Sequence, residues 1–298
     1  MNYVRKPLLM AAATLVAAVA LAACGSSSKK GNSSGAGSGT TGAGLDVSIA
    51  ETGKTAKFTL PKTVTGGLQT LTLANKGTKP HGAQLVRLVG NHTPQEALKV
   101  IGSQSNKTPG WLRGEGGLGP VPPGKTADAT LMLEPGKYMV FDPPNGPGGP
   151  SGTPAYSQLT VAGGAPGALP NTPTTVTAAR PGKDKYRWDV SGQLTTGTQS
   201  VTFVSKGKDA LHLIAAFRVT GNPSKAAILK GLSSHGKPPK FVDQASFYTS
   251  AVIDGGKSQT TPITFSGPGK WVLFCPLSDR DGGKEHFKEG LLKTITVK

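Results

Sequence analysis

The sequence repeats itself, and this repeat limits the chain to folds that can be built twice. Residues 71–91 match residues 201–222 with one inserted residue, so that His81 falls on His212. Self-similarity at a fixed spacing is the mark of duplicated structural units. The period is about 130 residues, which is long enough for each copy to form a domain of its own.

A second pair of matching segments defines the extent of each copy. The segment EPGKYMVFD at 134–142 matches GPGKWVLFC at 267–275, and a Gly-, Pro- and Thr-rich stretch separates the two halves. Such a composition is typical of domain linkers. We therefore predict domains at 45–162 and 183–298, joined by a linker at 163–182.

Short strands dominate the predicted secondary structure of both copies. Apolar and polar residues alternate at 71–73 and at 201–203, as in strands that bury one face. The chain also contains 42 glycines and 24 prolines, which favour many turns. We predict an all-β chain of two tandem Greek-key β-sandwiches, each interrupted by a short helix, at 93–103 and at 222–232.

Capping residues predict where each helix begins. Thr93 is a good N-cap, and Glu96 stands three residues later, as in a capping box. A proline at position 94 suits the first helical turn. In the second copy, Asn222 and Pro223 are predicted to begin the helix in the same way, without the glutamate.

The N-terminal residues predict export and lipid anchoring. Basic residues precede an apolar run from Leu8 to Ala22, which is too short to span a bilayer. The run ends in LAAC, which resembles the bacterial lipobox, and the resemblance implies acylation of Cys24. We expect a signal peptide at 1–23, followed by the acylated cysteine and a disordered Gly/Ser tether at 24–44. The alternative is an ordinary signal peptide with an incidental cysteine. Lipid anchoring would place both domains at the extracytoplasmic face of the cell membrane.

The charge of the chain points to anionic partners. The formal net charge at pH 7 is +17, and removal of Arg5 and Lys6 with the signal peptide lowers it by two, to +15. A basic surface favours anionic lipid head groups or a partner protein with an acidic surface. Nucleic acid is not expected, because the lysines are scattered and no recognition helix or stacking-aromatic pattern accompanies them.

Cys275 is the only cysteine besides Cys24, so no disulfide can form within the two domains. An unpaired thiol in an exported protein is a buried small hydrophobe, a reactive group or a metal ligand. Its neighbours in the sequence bear on this choice. A predicted strand ends at the cysteine, a polar loop follows, and a histidine stands before the last strand.

This region resembles the cupredoxin, or blue-copper, signature. Ten residues separate Cys275 from His286, which begins an H-x-x-x-G motif that ends at Gly290. Upstream, a Ser-x-Gly turn at 205–207 precedes His212. The resemblance implies one type 1 copper ion held by His212, Cys275 and His286, with electron transfer as the function. Two imidazoles and a thiolate also suit copper on chemical grounds.

Two features depart from the family pattern. The residue after Gly290 is Leu291, where the family usually supplies an axial methionine. Leucine cannot coordinate, and loss of the weak axial ligand is expected to raise the copper potential. The loop from Cys275 to His286 is also longer than is common. The alternative is a cupredoxin-like chain without metal, acting as an interaction or structural module.

The first copy lacks most of these features. It retains His81, but Asp142 stands at the cysteine position, and the loop that follows contains no histidine. We expect this domain to bind no metal and His81 to be hydrogen-bonded. His92 and His235 lie in polar segments beside the helices and are expected to be solvated.

Enzyme signatures are missing from the sequence. Multicopper oxidases need His-x-His motifs, and copper nitrite reductases need further histidines at the domain interface; neither set is present. There is no G-x-S-x-G, H-E-x-x-H or phosphate-binding loop. Copper storage would need Met- or His-rich tracts, which the tether lacks. We therefore predict a copper-binding electron carrier that is not an enzyme.

Overall fold

The computed structural model describes residues 43–298 except positions 54, 104, 144–153, 209, 235 and 236. Within this part the secondary structure is mostly β-strand, with two short helices, which confirms the predicted all-β class. The strands of the first half are β1 (Ala43–Thr52), β2 (Thr55–Thr59), β3 (Thr63–Thr65), β4 (Gly67–Asn75), β5 (His81–Leu88), β6 (Leu112–Val121), β7 (Thr126–Leu133), β8 (Gly136–Phe141) and β9 (Tyr156–Ala162). Those of the second half are β10 (Thr175–Gly182), β11 (Lys185–Ser191), β12 (Gly197–Ser205), β13 (Leu211–His212), β14 (Ala215–Val219), β15 (Val242–Thr249), β16 (Ile253–Asp254), β17 (Ser258–Phe265), β18 (Gly269–Phe274) and β19 (Leu292–Val297). The two helices of this part are α1 (Pro94–Ile101) and α2 (Lys225–Ser233).

Both copies follow the same path through two facing sheets. In the first, β1 runs parallel to β4, which pairs with β7, while β6, β5, β8 and β9 form the opposite sheet. In the second, β10 runs parallel to β12, which pairs with β17, while β15, β14, β18 and β19 lie opposite. The chain crosses between sheets at equivalent points, as in two tandem sandwiches. The duplication seen in the sequence is therefore a duplication of topology.

Alternating side chains fill the interior of each sandwich. On β4, Leu71 and Leu73 are fully buried, and Val201 and Phe203 repeat this pattern on β12. The second core is centred on Trp271, whose ring packs edge-on against Phe265. The indole N–H of Trp271 donates to the carbonyl of Gly267 at 3.0 Å, so this large side chain is buried with its polar atom satisfied.

The second sandwich begins earlier than the sequence indicates. The predicted linker at 163–182 ends in strand β10, which pairs with β12 through Val176 and Phe203 among others. Its composition suggested a linker, but its alternating residues Val176 and Ala178 are both fully buried. The connection without strands is therefore confined to residues 163–174.

The two helices lie where they were predicted, but one begins differently. At α1, the Thr93 hydroxyl accepts from the Glu96 N–H and the glutamate side chain accepts from the Thr93 N–H, as in a capping box. At α2, the N-cap is Ser224, not Asn222. The Asn222 side chain instead accepts a hydrogen bond from Lys270, which holds it outside the helix.

The two sandwiches are joined by strand pairing and by side chains. β17 pairs with β7 at two positions, so one sheet of eight strands runs through both halves. Gln84 extends this junction, because its amide donates to the carbonyl of Val252 at 2.9 Å and accepts from the Val252 N–H at 2.6 Å. The two copies therefore form one continuous β-structure.

The predicted signal peptide, Cys24 and all but the last two residues of the predicted tether lie outside the described residues, as does His235. Neither helix of the described part is long and apolar enough to cross a bilayer.

Candidate metal centre

Three separate parts of the second sandwich bring His212, Cys275 and His286 together. His212 ends the short strand β13, Cys275 follows β18, and His286 precedes β19. One ligand atom from each residue lies within 4.8 Å of the other two, and all three side chains are fully buried. Among the described residues this is the one group of three or more His, Cys, Asp or Glu side chains placed to hold a metal ion.

Backbone hydrogen bonds fold the long loop between Cys275 and His286 back on itself. The His286 N–H donates to the carbonyl of Leu277 at 2.7 Å, and the Phe287 N–H donates to the carbonyl of Cys275 at 3.0 Å. As a result, His286 Nδ1 lies 3.6 Å from Cys275 Sγ. The length of the loop therefore does not separate the two side chains.

The last part of the motif is held by the backbone hydrogen bonds of Leu291. The Leu291 N–H donates to the carbonyl of His286, and its own carbonyl accepts from the Cys275 N–H at 3.1 Å. The Leu291 side chain is fully buried in the core cluster that contains Cys275. At this position the chain offers a hydrocarbon group and no lone pair.

Burial keeps all three groups uncharged in the absence of a metal. It lowers the pKa of His212 to about 3, with smaller contributions from His286 and Arg180. Burial also lowers the pKa of His286, although Asp279 acts in the opposite direction. The pKa of the Cys275 thiol is raised by burial to about 12, against the effect of the backbone N–H groups of Leu213 and Leu277. Neutral imidazoles are the form that binds metal, and the thiol must release its proton when metal binds.

His212 gives the clearest indication that these residues fit a metal ion. Its two ring nitrogens are buried and neither makes a well-formed hydrogen bond within the described chain; a weak contact with the backbone of Lys206 acts to raise its pKa, against the larger effect of burial. An unsatisfied buried polar atom costs about 1–3 kcal/mol. A metal ion bound between the thiol and the two imidazoles would satisfy such an atom, and the donor set of nitrogen and sulfur suits copper.

A second set of side chains orients His286. Its Nε2 lies 3.2 Å from Oδ1 of Asp279, which leaves Nδ1 directed towards Cys275. The Tyr186 hydroxyl donates to the same carboxylate, and Arg180 donates to its other oxygen at 2.9 Å. Histidines that bind metals usually donate their second N–H to such a carboxylate.

The Tyr186 ring also lines the site. Its centroid lies 4.4 Å from the ring of His286 and 5.4 Å from that of His212. Burial, together with Asp279, raises the pKa of the Tyr186 hydroxyl. None of the side chains of Tyr186, Asp279 and Arg180 was predicted from the sequence to belong to the site. Asp279 could have been found from the sequence, since it is one of three carboxylates between Cys275 and His286.

The equivalent positions of the first copy form a hydrogen-bonded pair. His81 Nδ1 lies 2.7 Å from Oδ2 of Asp142, and both side chains are buried. On the other side of the ring, Nε2 lies 3.1 Å from Oε1 of Glu51. In the first copy, therefore, the carboxylate of Asp142 lies beside the histidine. In the second copy, the thiol of Cys275 takes this place.

Glu51 also fixes the turn before His81. Its carboxylate accepts from the N–H groups of Thr78 at 2.7 Å and Lys79 at 3.0 Å. Partial burial acts to raise the pKa of Glu51, but the Thr78 N–H and His81 outweigh it and lower the pKa from 4.5 to about 2. Folding therefore favours the charged carboxylate.

Glu51→Gln is expected to lower the free energy of unfolding at pH 7 by about 1–2 kcal/mol, with allowance for solvent screening. Because the pKa is lower in the folded state, this contribution is present above pH 4.5 and is lost as the pH falls towards 2. Urea denaturation at pH 7 and at lower pH measures the difference. Asp128→Asn, which changes an exposed carboxylate on β7, is the control. A difference between Glu51→Gln and the parent that did not shrink in acid would contradict the assignment.

Half-exposed His92 lies apart from the candidate centre. Its ring stacks on Trp111 with a centroid distance of 3.9 Å, and its Nδ1 lies 3.6 Å from Glu96. Predicted to be solvated, this histidine is instead packed on one face.

No family model matches the sequence, and no curated protein matches it either. Among solved structures, the chain is similar to an auracyanin from the photosynthetic bacterium Roseiflexus castenholzii, with 25% identity and a TM-score of 0.28 over 43% of this chain and 99% of that one. It is also similar to a copper nitrite reductase from Nitrosomonas europaea, with 13% identity and a TM-score of 0.26 over 87% and 94%. A multicopper oxidase gives 12% identity and a TM-score of 0.24 over 86% and 88%. Because these TM-scores are low, the description of the fold and of the site depends on the topology and contacts of the chain itself.

Proposed function

We propose that the second sandwich binds one type 1 copper ion through His212, Cys275 and His286, and that the chain carries electrons at the extracytoplasmic face of a membrane. The observation that supports this most directly is the buried His212, whose ring nitrogens make no well-formed hydrogen bond in the described chain and which lies beside a buried thiol and a second imidazole. A purely structural histidine at such a position would be expected to have a partner.

The bound copper would supply one-electron chemistry, and the residues of the chain determine how it is held. Cys275 would bind as the thiolate, and the N–H groups of Leu213 and Leu277, which act to lower the pKa of the thiol, would stabilise that form. Asp279 fixes the tautomer and direction of His286. Because all three ligands are buried in a β-sandwich, the site would change little when the charge of the ion changes.

Leu291 and the N-terminal segment bear on the copper potential and on the location of the chain. Leu291, at the position where the family pattern has a methionine, offers no ligand atom, which would favour a high copper potential. Acylation of Cys24 would anchor the chain, and the basic net charge would attract a redox partner with an acidic surface.

Addition of one equivalent of Cu(II) to the full chain tests the function. We expect an intense thiolate-to-copper absorption band in the visible region and copper that stays bound through desalting. A chain that shows no band and retains no copper would overturn the redox function. It would then be an interaction or structural module whose Cys275 is only a small buried side chain.

Asp279→Ala is expected to weaken copper binding about 10- to 100-fold, because it frees His286 to rotate and leaves its Nε2 without a partner. Competition with a chelator measures the affinity. Asp189→Ala removes an exposed carboxylate that pairs with Arg187, and this variant should bind copper like the parent. Equal affinities for the two variants would contradict the role of Asp279.

A further inference from the structure

The loop that carries the metal ligands contacts both sandwiches. We define residues 276–285, between Cys275 and His286, as the ligand loop. It lies against residues 106–112 of the first sandwich. The carbonyl of Arg280, in the middle of the ligand loop, accepts from the N–H of Thr108 at 2.8 Å. Asn106 donates from its side chain to the carbonyl of Gly283 at 3.0 Å. The ligand loop is therefore attached to the first sandwich at two places by its backbone.

The side chain of Arg280 makes a third attachment. It is 7% exposed, and its Nη1 donates to the carbonyls of Pro109 at 2.8 Å and Leu112 at 3.0 Å. Its Nη2 donates to both carboxylate oxygens of Asp254, at 2.5 and 2.6 Å. A guanidinium presents several donors in a fixed plane, so one side chain can hold carbonyls and a carboxylate at once.

Asp254 connects this arginine to the rest of the junction. It ends strand β16 of the second sandwich, yet its Oδ1 also accepts from the N–H of Gly114 at 3.3 Å, and its Oδ2 lies 3.5 Å from Arg113. A buried charge pair of this kind is destabilising unless each group is well hydrogen-bonded. Here the bonds come from both sandwiches, so Nη1 of Arg280 finds its carbonyl partners only when the two are docked, while Nε of Arg280 has no hydrogen-bond partner in the described chain.

We propose that the first sandwich acts as a positioning element for the metal centre of the second, and that Arg280 and Asn106 are the residues through which it holds the ligand loop. This inference rests on the proposed copper function and deepens it. Cys275 and His286 stand at the two ends of the loop, so a loop fixed in its middle keeps their separation constant. The copy without a cysteine thus has a role in the chemistry of the other copy.

Asn106→Ala and Arg280→Lys test this role in the full chain. Asn106 is exposed, so its replacement removes one contact without disturbing a core. Arg280→Lys keeps the charge but loses the planar set of donors. In the metal-free chain, we expect amide hydrogen exchange at Gly282 and His286, whose N–H groups bond within the loop region, to become about three- to tenfold faster in each variant. In the copper-loaded chain, we expect loss of copper to a chelator to accelerate by a similar factor.

Lys257→Met is the matched control. Lys257 also joins the two sandwiches, with its Nζ 2.8 Å from Glu115 and in contact with Glu134, but it lies outside the ligand loop. Glu115 keeps Arg87 as a partner in this variant. We expect unchanged exchange at Gly282 and His286 and an unchanged rate of copper loss.

The result that overturns the inference is unchanged exchange in both Asn106→Ala and Arg280→Lys, or an equal change in Lys257→Met. If the parent chain binds no copper, the copper function fails, but the exchange measurement on the metal-free chain still decides whether the first sandwich holds the loop. The two failures are therefore distinguishable.

Discussion

Cys275→Ser is expected to abolish the visible thiolate-to-copper band completely and to reduce retained copper to background. The soft thiolate is the ligand that distinguishes this donor set from an ordinary pair of histidines, and a serine hydroxyl does not replace it at neutral pH. Visible absorption and metal content after desalting, measured on parent and variant, give the result.

Two controls separate this expectation from indirect effects. His92→Gln removes a half-exposed imidazole far from the cluster in sequence and should leave the band unchanged. Urea denaturation of the metal-free Cys275→Ser chain should show a loss of about 1–3 kcal/mol at most, since the new hydroxyl is buried in an apolar core. A band that persisted in Cys275→Ser would exclude the thiol as a copper ligand.

Gly290→Ala is expected to lower the free energy of unfolding by about 4 kcal/mol or more. Gly290 has φ +122°, and a Cβ at this position would lie 1.9 Å from the carbonyl oxygen of Tyr186. That carbonyl belongs to β11, whose Tyr186 N–H also bonds to the carbonyl of Glu289. The alanine must therefore push β11 away from the segment around Gly290.

Gly269→Ala isolates the backbone part of this effect. Gly269 has φ +120°, but a Cβ there would meet no atom within 4 Å. We expect a cost of about 1–3 kcal/mol from strain alone. Urea denaturation of both variants measures the difference, and equal costs would show that contact with Tyr186 is unimportant.

Much of the fold could be predicted because the repeat and the alternating residues reflect the same topology. Leu71 and Leu73 correspond to Val201 and Phe203, and both pairs face a core. The start of the second sandwich could not be predicted, because the strand around Val176 lies in a segment whose threonines and prolines also suit a linker. Its pairing with β12 is a tertiary contact that composition does not reveal.

For the site, too, residues linked by a local sequence pattern could be predicted, whereas residues that come together only in the fold could not. The sequence indicated His212, Cys275 and His286 because a family resemblance links their spacing, and the structure brings them together. It gave no sign of Tyr186, which lies 93 positions from its hydrogen-bond partner Asp279. Contacts between the ends of polar side chains that are distant in the sequence leave no periodic pattern. They become visible only in the three-dimensional structure.

The pair of His81 and Asp142 has a consequence for how such a duplicated protein can diverge. In this copy the histidine finds both of its partners, Asp142 and Glu51, among the atoms of the chain itself. Under the proposed function, the equivalent histidine of the other copy would depend on an ion supplied from outside. An aspartate at the cysteine position would thus make one domain independent of the metal supply, while the other copy would depend on it.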